Sequence, residues 1–381
     1  MRVLFVDDEV RVLEAIQRSL LMADVDWEMR FVTGGEAALA ALASERFDVI
    51  VSDMRMPGMD GATLLTLACE RDPGMVRIVL SGQADEESAL SAARVAHQFL
   101  AKPCDAPTIR KVVERTGELH RTLLDPQLRA LVGGVRGLPT TMRLFQDLSD
   151  LLRRDDASTD AVTALVRQDP AMASKLLQFV NSAFFANSRE VADIGGAVVR
   201  LGMKTIKNLA LGLGVFDMGD SVSPTVFSVD QMQRRAFTAA RIAGGLAHNR
   251  EQADAAFMAG LVCDLGELVL ASKAPDRLIC AWQNAEARNV ARSVVEREIF
   301  GVSHAKVGAC LLELWGLPFR IVEAVAHHHA PERSSQAGPG LPQIVWIASC
   351  VAAGEEPEAS LIDALGAQSL VEKAQRLAAE H

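Results

Sequence analysis

No Cys-x-x-Cys pair occurs in the sequence: Cys69, Cys104, Cys263, Cys280, Cys310 and Cys350 stand singly, most among apolar neighbours as buried thiols do. Scattered thiols suit a reducing cytosol. Low-complexity runs are missing too, which excludes a disordered chain. Basic residues are in deficit, 39 against 49 acidic, and the net charge of -10 excludes a general electrostatic grip on nucleic acid, although a local basic patch stays open. A secretory leader is not legible, because Met1-Arg2 runs into a short apolar stretch, Val3 to Val6, that stops at two aspartates. Nor does any stretch suit a bilayer: the most apolar, Ala255 to Ser272, is interrupted by Asp264 and Glu267 and reads as a buried helix. The expectation is a cytoplasmic protein without a membrane partner.

What is present is enough apolar material for two cores. The 381 residues are 49% hydrophobic and 23% charged, and that length exceeds what one core usually organises. The opening third alternates strand and helix patterns. Strands are expected at Val3–Val6, Met29–Val32, Val49–Val51, Ile78–Leu80 and Gln98–Ala101, with helices at Val12–Leu20, Glu36–Ala43, Gly61–Cys69, Glu86–Ala93 and Ala106–Leu124. Five strands alternating with helices predict a doubly wound parallel sheet, which takes its ligand at the carboxyl ends of the strands. Those ends carry Asp7 and Asp8, then Asp53, Ser81 and Lys102. Converging carboxylates repel unless a cation sits among them, and oxygen ligands select a hard ion such as Mg²⁺. The pattern predicts a metal site with a lysine at its rim.

These residues carry a resemblance. Asp7-Asp8, the run Asp53-Met54-Arg55-Met56-Pro57-Gly58-Met59-Asp60-Gly61, Leu80-Ser81-Gly82 and Ala101-Lys102-Pro103 resemble the full signature of the response-regulator receiver domain, with its flavodoxin-like fold. The resemblance implies that Asp53 accepts a phosphoryl group from a sensor histidine kinase or phosphotransfer protein. It implies that Asp7, Asp8, Asp53 and the Arg55 backbone carbonyl hold Mg²⁺, and that Lys102 and Ser81 bind phosphoryl oxygens. Phe99 falls where receivers place a switch aromatic; tyrosine is common there, and phenylalanine brings no hydroxyl.

Beyond the Gly-rich stretch Val132 to Pro139 the strand signals stop and amphipathic helices follow. Leu144, Leu148, Leu151 and Leu152 mark one helix face; Asp169-Pro170 supplies an N-cap and first-turn proline for another; and further helices are expected through His329. Asp169-Pro170-Ala171, Val180-Asn181-Ser182-Ala183-Phe184-Phe185, Ala197 to Gly202, Ala259 to Gly266, His304 to Ala309 and Trp315-Gly316-Leu317-Pro318 resemble the HDOD family, relatives of HD-type metal phosphohydrolases. The catalytic relatives need an adjacent His-Asp pair and an upstream histidine. Here the pair reads Cys263-Asp264 and the upstream position falls near Arg235-Ala236-Phe237 with no histidine, so no metal is expected in this domain. Asp264 and Glu267 read as buried pairing groups. His248, His304 and Cys263 are substitute ligands to consider. Three consecutive histidines, His327 to His329, point different ways on a helix, so at most one or two share a site, and they read as a helix-end cluster.

The chain is therefore divided into a receiver (1–124), a linker (125–137), an all-α HDOD-like output domain (138–335) and a C-terminal helical extension (336–381). The expected function is a phosphorylation-dependent regulator whose non-catalytic output acts by protein interaction on an unidentified signalling partner. The resemblance connects such outputs with cyclic-di-GMP signalling. A homodimer stays open. The alternatives are a metal-dependent phosphohydrolase output and a DNA-binding output built on the basic segment Arg200 to Lys207.

Overall fold

The computed structural model describes the chain apart from residues 24, 83–94, 123–125, 136, 155, 182–189, 208, 210–216, 219–226, 335–339 and 381. The expected helix Glu86–Ala93, the Ser182 to Phe185 part of the HDOD-like segment and the expected linker residue Asp125 lie outside the described residues. The chain divides into two compact units. One is Met1–Arg136 with Gln178–Arg189 and Leu314–Gly316; the other is Gly137–Leu177, Glu190–Glu313 and Leu317–His381.

In the first unit β1 (Arg2–Asp7), β2 (Glu28–Thr33), β3 (Val49–Asp53), β4 (Val76–Gly82) and β5 (Gln98–Lys102) form one parallel sheet in the order β2-β1-β3-β4-β5. The doubly wound sheet predicted from the sequence is therefore present. β1 and β3 are continuous apolar runs because both of their faces are covered: Val3, Leu4, Val49, Ile50 and Val51 are wholly buried. The chain turns from β2 back across β1 to β3, so the order reverses at the β1/β3 pair and opens a crevice beyond their carboxyl ends.

The segment expected as a linker holds a helix, Pro126–Gly133, with Leu128 and Val132 buried. Its glycines serve close packing, since a Cβ on Gly133 would lie 2.4 Å from the Pro73 carbonyl oxygen. Arg77, wholly buried in β4, fastens the same helix. Its guanidinium donates to the carbonyls of Gly133 (2.7 Å), Val95 (2.6 Å) and Met75 (2.9 Å).

The second unit is helical, with one addition the sequence did not announce: Pro139–Thr140 and Asp217–Met218 pair as a two-residue parallel ribbon. Asp169 caps the helix Pro170–Val180 as expected, its Oδ1 accepting from the N–H groups of Ala171 (2.7 Å) and Met172 (3.1 Å). The apolar stretch Arg250–Lys273 is long and apolar enough to cross a membrane, but 89% of its most apolar window is buried inside the fold. It consists of two helices, Arg250–Val262 and Leu265–Lys273, that meet at Cys263-Asp264. The basic segment Arg200 to Lys207 lies in the helix Ile194–Lys207, which is broken at Gly202 (φ 75°) and offers no continuous recognition helix. The C-terminal extension is part of this core. Helix Leu341–Ala353 buries Ile344, Val345, Trp346 and Ile347, and helix Gln368–Ala379 lays Leu377 against Gly245 of helix Val229–Leu246.

Candidate functional site

The carboxyl edge of the sheet gathers the expected polar groups. Asp7 ends β1 and is 1% exposed; Asp53 ends β3 and is 7% exposed. Asp8 follows on the surface. Ser81 is fully buried in β4, and Phe99 is buried in β5. The local sequence after β3 explains how Asp53 is held. Gly58 takes φ 81°, Asp60 caps the helix Gly61–Arg71 by accepting from the Thr63 N–H at 2.8 Å, and a Cβ on Gly61 would lie 2.3 Å from the Asp53 carbonyl oxygen. The run Pro57-Gly58-Met59-Asp60-Gly61 thus brings a helix start down onto the strand end.

Lys102, the last residue of β5, does more than line a rim. Its ammonium donates to Asp7 Oδ2 at 2.7 Å and pairs with Asp53 Oδ1, bridging the two buried carboxylates. The other Asp53 oxygen, Oδ2, accepts from the Arg55 N–H at 3.0 Å, and Asp7 Oδ1 accepts from the Glu9 N–H at 2.9 Å. Burial pushes the Asp53 carboxyl above its ordinary range, with Lys102 opposing and Asp7 adding to the rise. Burial also works against the charge on Lys102, but its bonds to Asp53 and Asp7 outweigh that and hold it above the usual lysine range. The Lys102-Pro103 peptide is cis. Two buried carboxylates share one ammonium and exposed Asp8 follows Asp7 in the chain, an oxygen-rich acidic set that Mg²⁺ fits.

In the second unit the HD-like position behaves as expected in one respect and differently in another. Asp264 and Glu267 are buried and share Arg235, whose Nε donates to Asp264 Oδ2 at 3.0 Å and whose Nη2 donates to Glu267 Oε2 at 2.6 Å. Burial would discharge Asp264, but Arg235, His304 and His328 hold it well below the usual carboxylate range. Cys263 is not a substitute ligand: its buried thiol points to the Gly260 carbonyl, 3.2 Å away. His248 is exposed and stays apart. His304, His328 and His329, however, converge on Asp264, with ligand atoms of all four residues within 4.8 Å of one another. The sequence reading did not assemble this group. Its residues are spread over four segments' ends, and only the coincidence of His304 with a three-histidine run signalled it.

Comparison with known proteins agrees with this architecture. Residues 3–114 match the response regulator receiver domain, and residues 138–331 match the HDOD domain. The receiver match, on a doubly wound sheet with an acidic crevice at its carboxyl edge, places the chain among the response regulators. This chain belongs to the HDOD family and carries a receiver domain in front of its HDOD domain.

Among curated proteins it is 36% identical over 200 residues to the response regulator protein FleR of Pseudomonas aeruginosa (51% of this chain, 42% of that protein). It is 29% identical over 235 residues to an uncharacterized protein of Treponema pallidum (60% of this chain, 45% of that protein). The chain spans less than half the length of the first curated relatives it matches. The fold is shared with the MmoQ response regulator of Methylococcus capsulatus (24% identity, TM-score 0.52, 64% of this chain and 98% of that one). It is also shared with a virulence factor of Campylobacter jejuni (18% identity, TM-score 0.51, 66% and 89%).

Proposed function

We infer that this response regulator is a phosphorylation-controlled switch in which Asp53 takes a phosphoryl group from a histidine kinase or phosphotransfer protein and the HDOD domain responds without catalysis of its own. The observation that supports it most is Asp53 at the end of β3, its Oδ1 against the Lys102 ammonium and its Oδ2 on the Arg55 N–H. An Asp53 carboxylate oxygen attacks phosphorus, a P–O bond forms, the P–N bond of the donor phosphohistidine breaks, and the imidazole leaves. Lys102 then pairs with a phosphoryl oxygen in place of the carboxylate, and the Ser81 hydroxyl hydrogen-bonds another. Asp7, Asp8, Asp53 and the Arg55 carbonyl would hold Mg²⁺, which neutralises phosphoryl charge when bound. Phe99, buried on the neighbouring strand opposite Val79, two positions before the Ser81–Ala101 pair, relays the change as the switch aromatic.

A non-catalytic output follows from the charge at the HD-like position. Arg235 lies in the segment, Arg235 to Phe237, where the catalytic relatives place a histidine, and its guanidinium holds Asp264 Oδ2. The output is then a change in binding to a signalling protein.

The test compares wild type with Asp53→Asn, each with and without Mg²⁺ and beryllofluoride, by small-angle scattering with in-line chromatography. A change in mass or dimensions in the wild type that is missing in the variant is expected. The same profile in all four samples would sink the switch.

A further inference from the structure

The geometry points to a transition-metal site in the HDOD half, with Asp264, His304, His328 and His329 holding one Zn²⁺-like ion. This goes beyond the switch proposed above and does not depend on it. His304 Nε2 and His328 Nε2 lie 3.6 and 3.5 Å from Asp264 Oδ1, and His329 Nε2 lies 2.9 Å from His304 Nε2. Four ligands at ~2.0–2.1 Å around a tetrahedral ion stand about 3.3 Å apart, and the observed separations bracket that spacing.

The tautomers are set for ligation. His304 Nδ1 donates to Glu296 Oε2 at 2.7 Å, and His328 Nδ1 donates to the Val325 carbonyl at 2.7 Å, so in the neutral imidazole of each the lone pair falls on Nε2, facing Asp264. His328 is wholly buried and its Nε2 has no hydrogen-bond partner, although it faces the group. A proton on His329 Nε2 would satisfy His304 alone and leave His328 orphaned; a metal satisfies all three nitrogens.

Charge argues the same way. Asp264, Glu267 and Glu296 are buried, while Arg235 is paired with Asp264 and Glu267 and half-exposed Arg292 lies 3.9 Å from Glu267. These three buried carboxylates surround the imidazoles, and a divalent cation bound there takes the place of a proton shared among them. Close packing creates the site. A Cβ on Gly266 would lie 1.9 Å from the His304 carbonyl oxygen, so only glycine lets the start of helix His304–Leu314 reach Asp264.

Three imidazoles and one carboxylate select a borderline ion such as Zn²⁺ over Mg²⁺. Four protein ligands leave no open position, so the ion ties helix ends together and is not a catalyst. Exposed His329 gives it a way in, through a cavity of ≈ 210 Å³ whose wall also carries Arg297, Lys306 and Arg333. Those cations repel an incoming metal, and exchange is slow.

The test uses the full chain carrying Asp53→Asn, which removes the central ligand of the receiver's Mg²⁺ site. The protein is stripped with chelator and titrated with Zn²⁺ and Co²⁺. One equivalent of Zn²⁺ per chain, the intense visible bands of four-coordinate Co²⁺ and no displacement by excess Mg²⁺ are expected. His329→Ala, at an exposed position and with its fold checked by circular dichroism, is expected to weaken Zn²⁺ at least tenfold and abolish the Co²⁺ bands. Glu296→Gln is expected to weaken binding about tenfold with the bands retained. Less than half an equivalent in the parent protein, or unchanged affinity and spectrum in His329→Ala, would overturn the site.

Discussion

The Lys102 ammonium donates to Asp7 Oδ2 at 2.7 Å while pairing with Asp53, so one cation serves two carboxylates from two strands. Lys102→Ala leaves both buried carboxylates without their counter-charge. A loss of about 2 kcal/mol is expected in metal-free protein, below the range for fully buried pairs because Lys102 is 27% exposed. Mg²⁺ restores most of it. Urea denaturation with and without Mg²⁺ measures both; a variant that Mg²⁺ does not stabilise would speak against carboxylates arranged for a metal.

Arg77→Met removes the guanidinium that holds the carbonyls of Gly133, Val95 and Met75. The Val95 and Met75 carbonyls lose this buried donor while Gly133 keeps His97 Nε2 at 3.0 Å, and about 3 kcal/mol of stability is expected to go. Protease cleavage within Pro126–Gly133 should rise, since this helix loses its fastening to β4.

Asp169 makes the second unit pH-sensitive. Burial pushes its carboxyl up from 3.8 to about 7, against the two backbone N–H groups that favour its charge. The folded state keeps the proton to about pH 7, while the unfolded chain loses it near 3.8. Between those values the folded state binds more protons, so stability is fullest at low pH and falls as pH rises toward 7. Asp169→Asn keeps an acceptor for the helix cap but cannot titrate. Its stability between about pH 4 and 7 should be flatter than wild type in denaturant melts.

Arg235→Met strands Asp264 and Glu267, and about 3 kcal/mol is expected to be lost in metal-free protein. Adding Glu267→Gln should recover part of it by removing one stranded charge. Equal stability of the single and double variants would show that the two carboxylates do not share the arginine.

The receiver crevice was legible in the sequence because its residues sit at strand ends, where a parallel sheet collects them whatever their separation. Even the glycines of Pro57 to Gly61 spoke for the geometry found around Asp53. Arg77 was not legible: an arginine in an apolar strand reads as an edge or surface group until the carbonyls that receive it are known. The histidine cluster was legible only in part: at most one or two of His327 to His329 were expected to share a site, and His328 and His329 do converge, but the point they share was not foreseen. The argument that His327 to His329 diverge assumes helical periodicity, but the helix Phe319–His327 ends there, with His328 as its C-cap. Leaving the helix frees His328 and His329 to turn toward the same point. The Gly-rich join signalled a break in the strand pattern, but not that Gly133 is there because Pro73 comes too close for a side chain.

Leu377 resting on Gly245 closes a stretch of more than a hundred residues. Helix Val229–Leu246 therefore stays incompletely covered on a growing chain until Gln368–Ala379 has been made, whereas the sheet is complete at Lys102. The two halves emerge from synthesis on different schedules, the receiver as an early folded body and its output as a late one. Pulse-labelled hydrogen exchange on refolding protein should find β1 and β3 protected before Val229–Leu246.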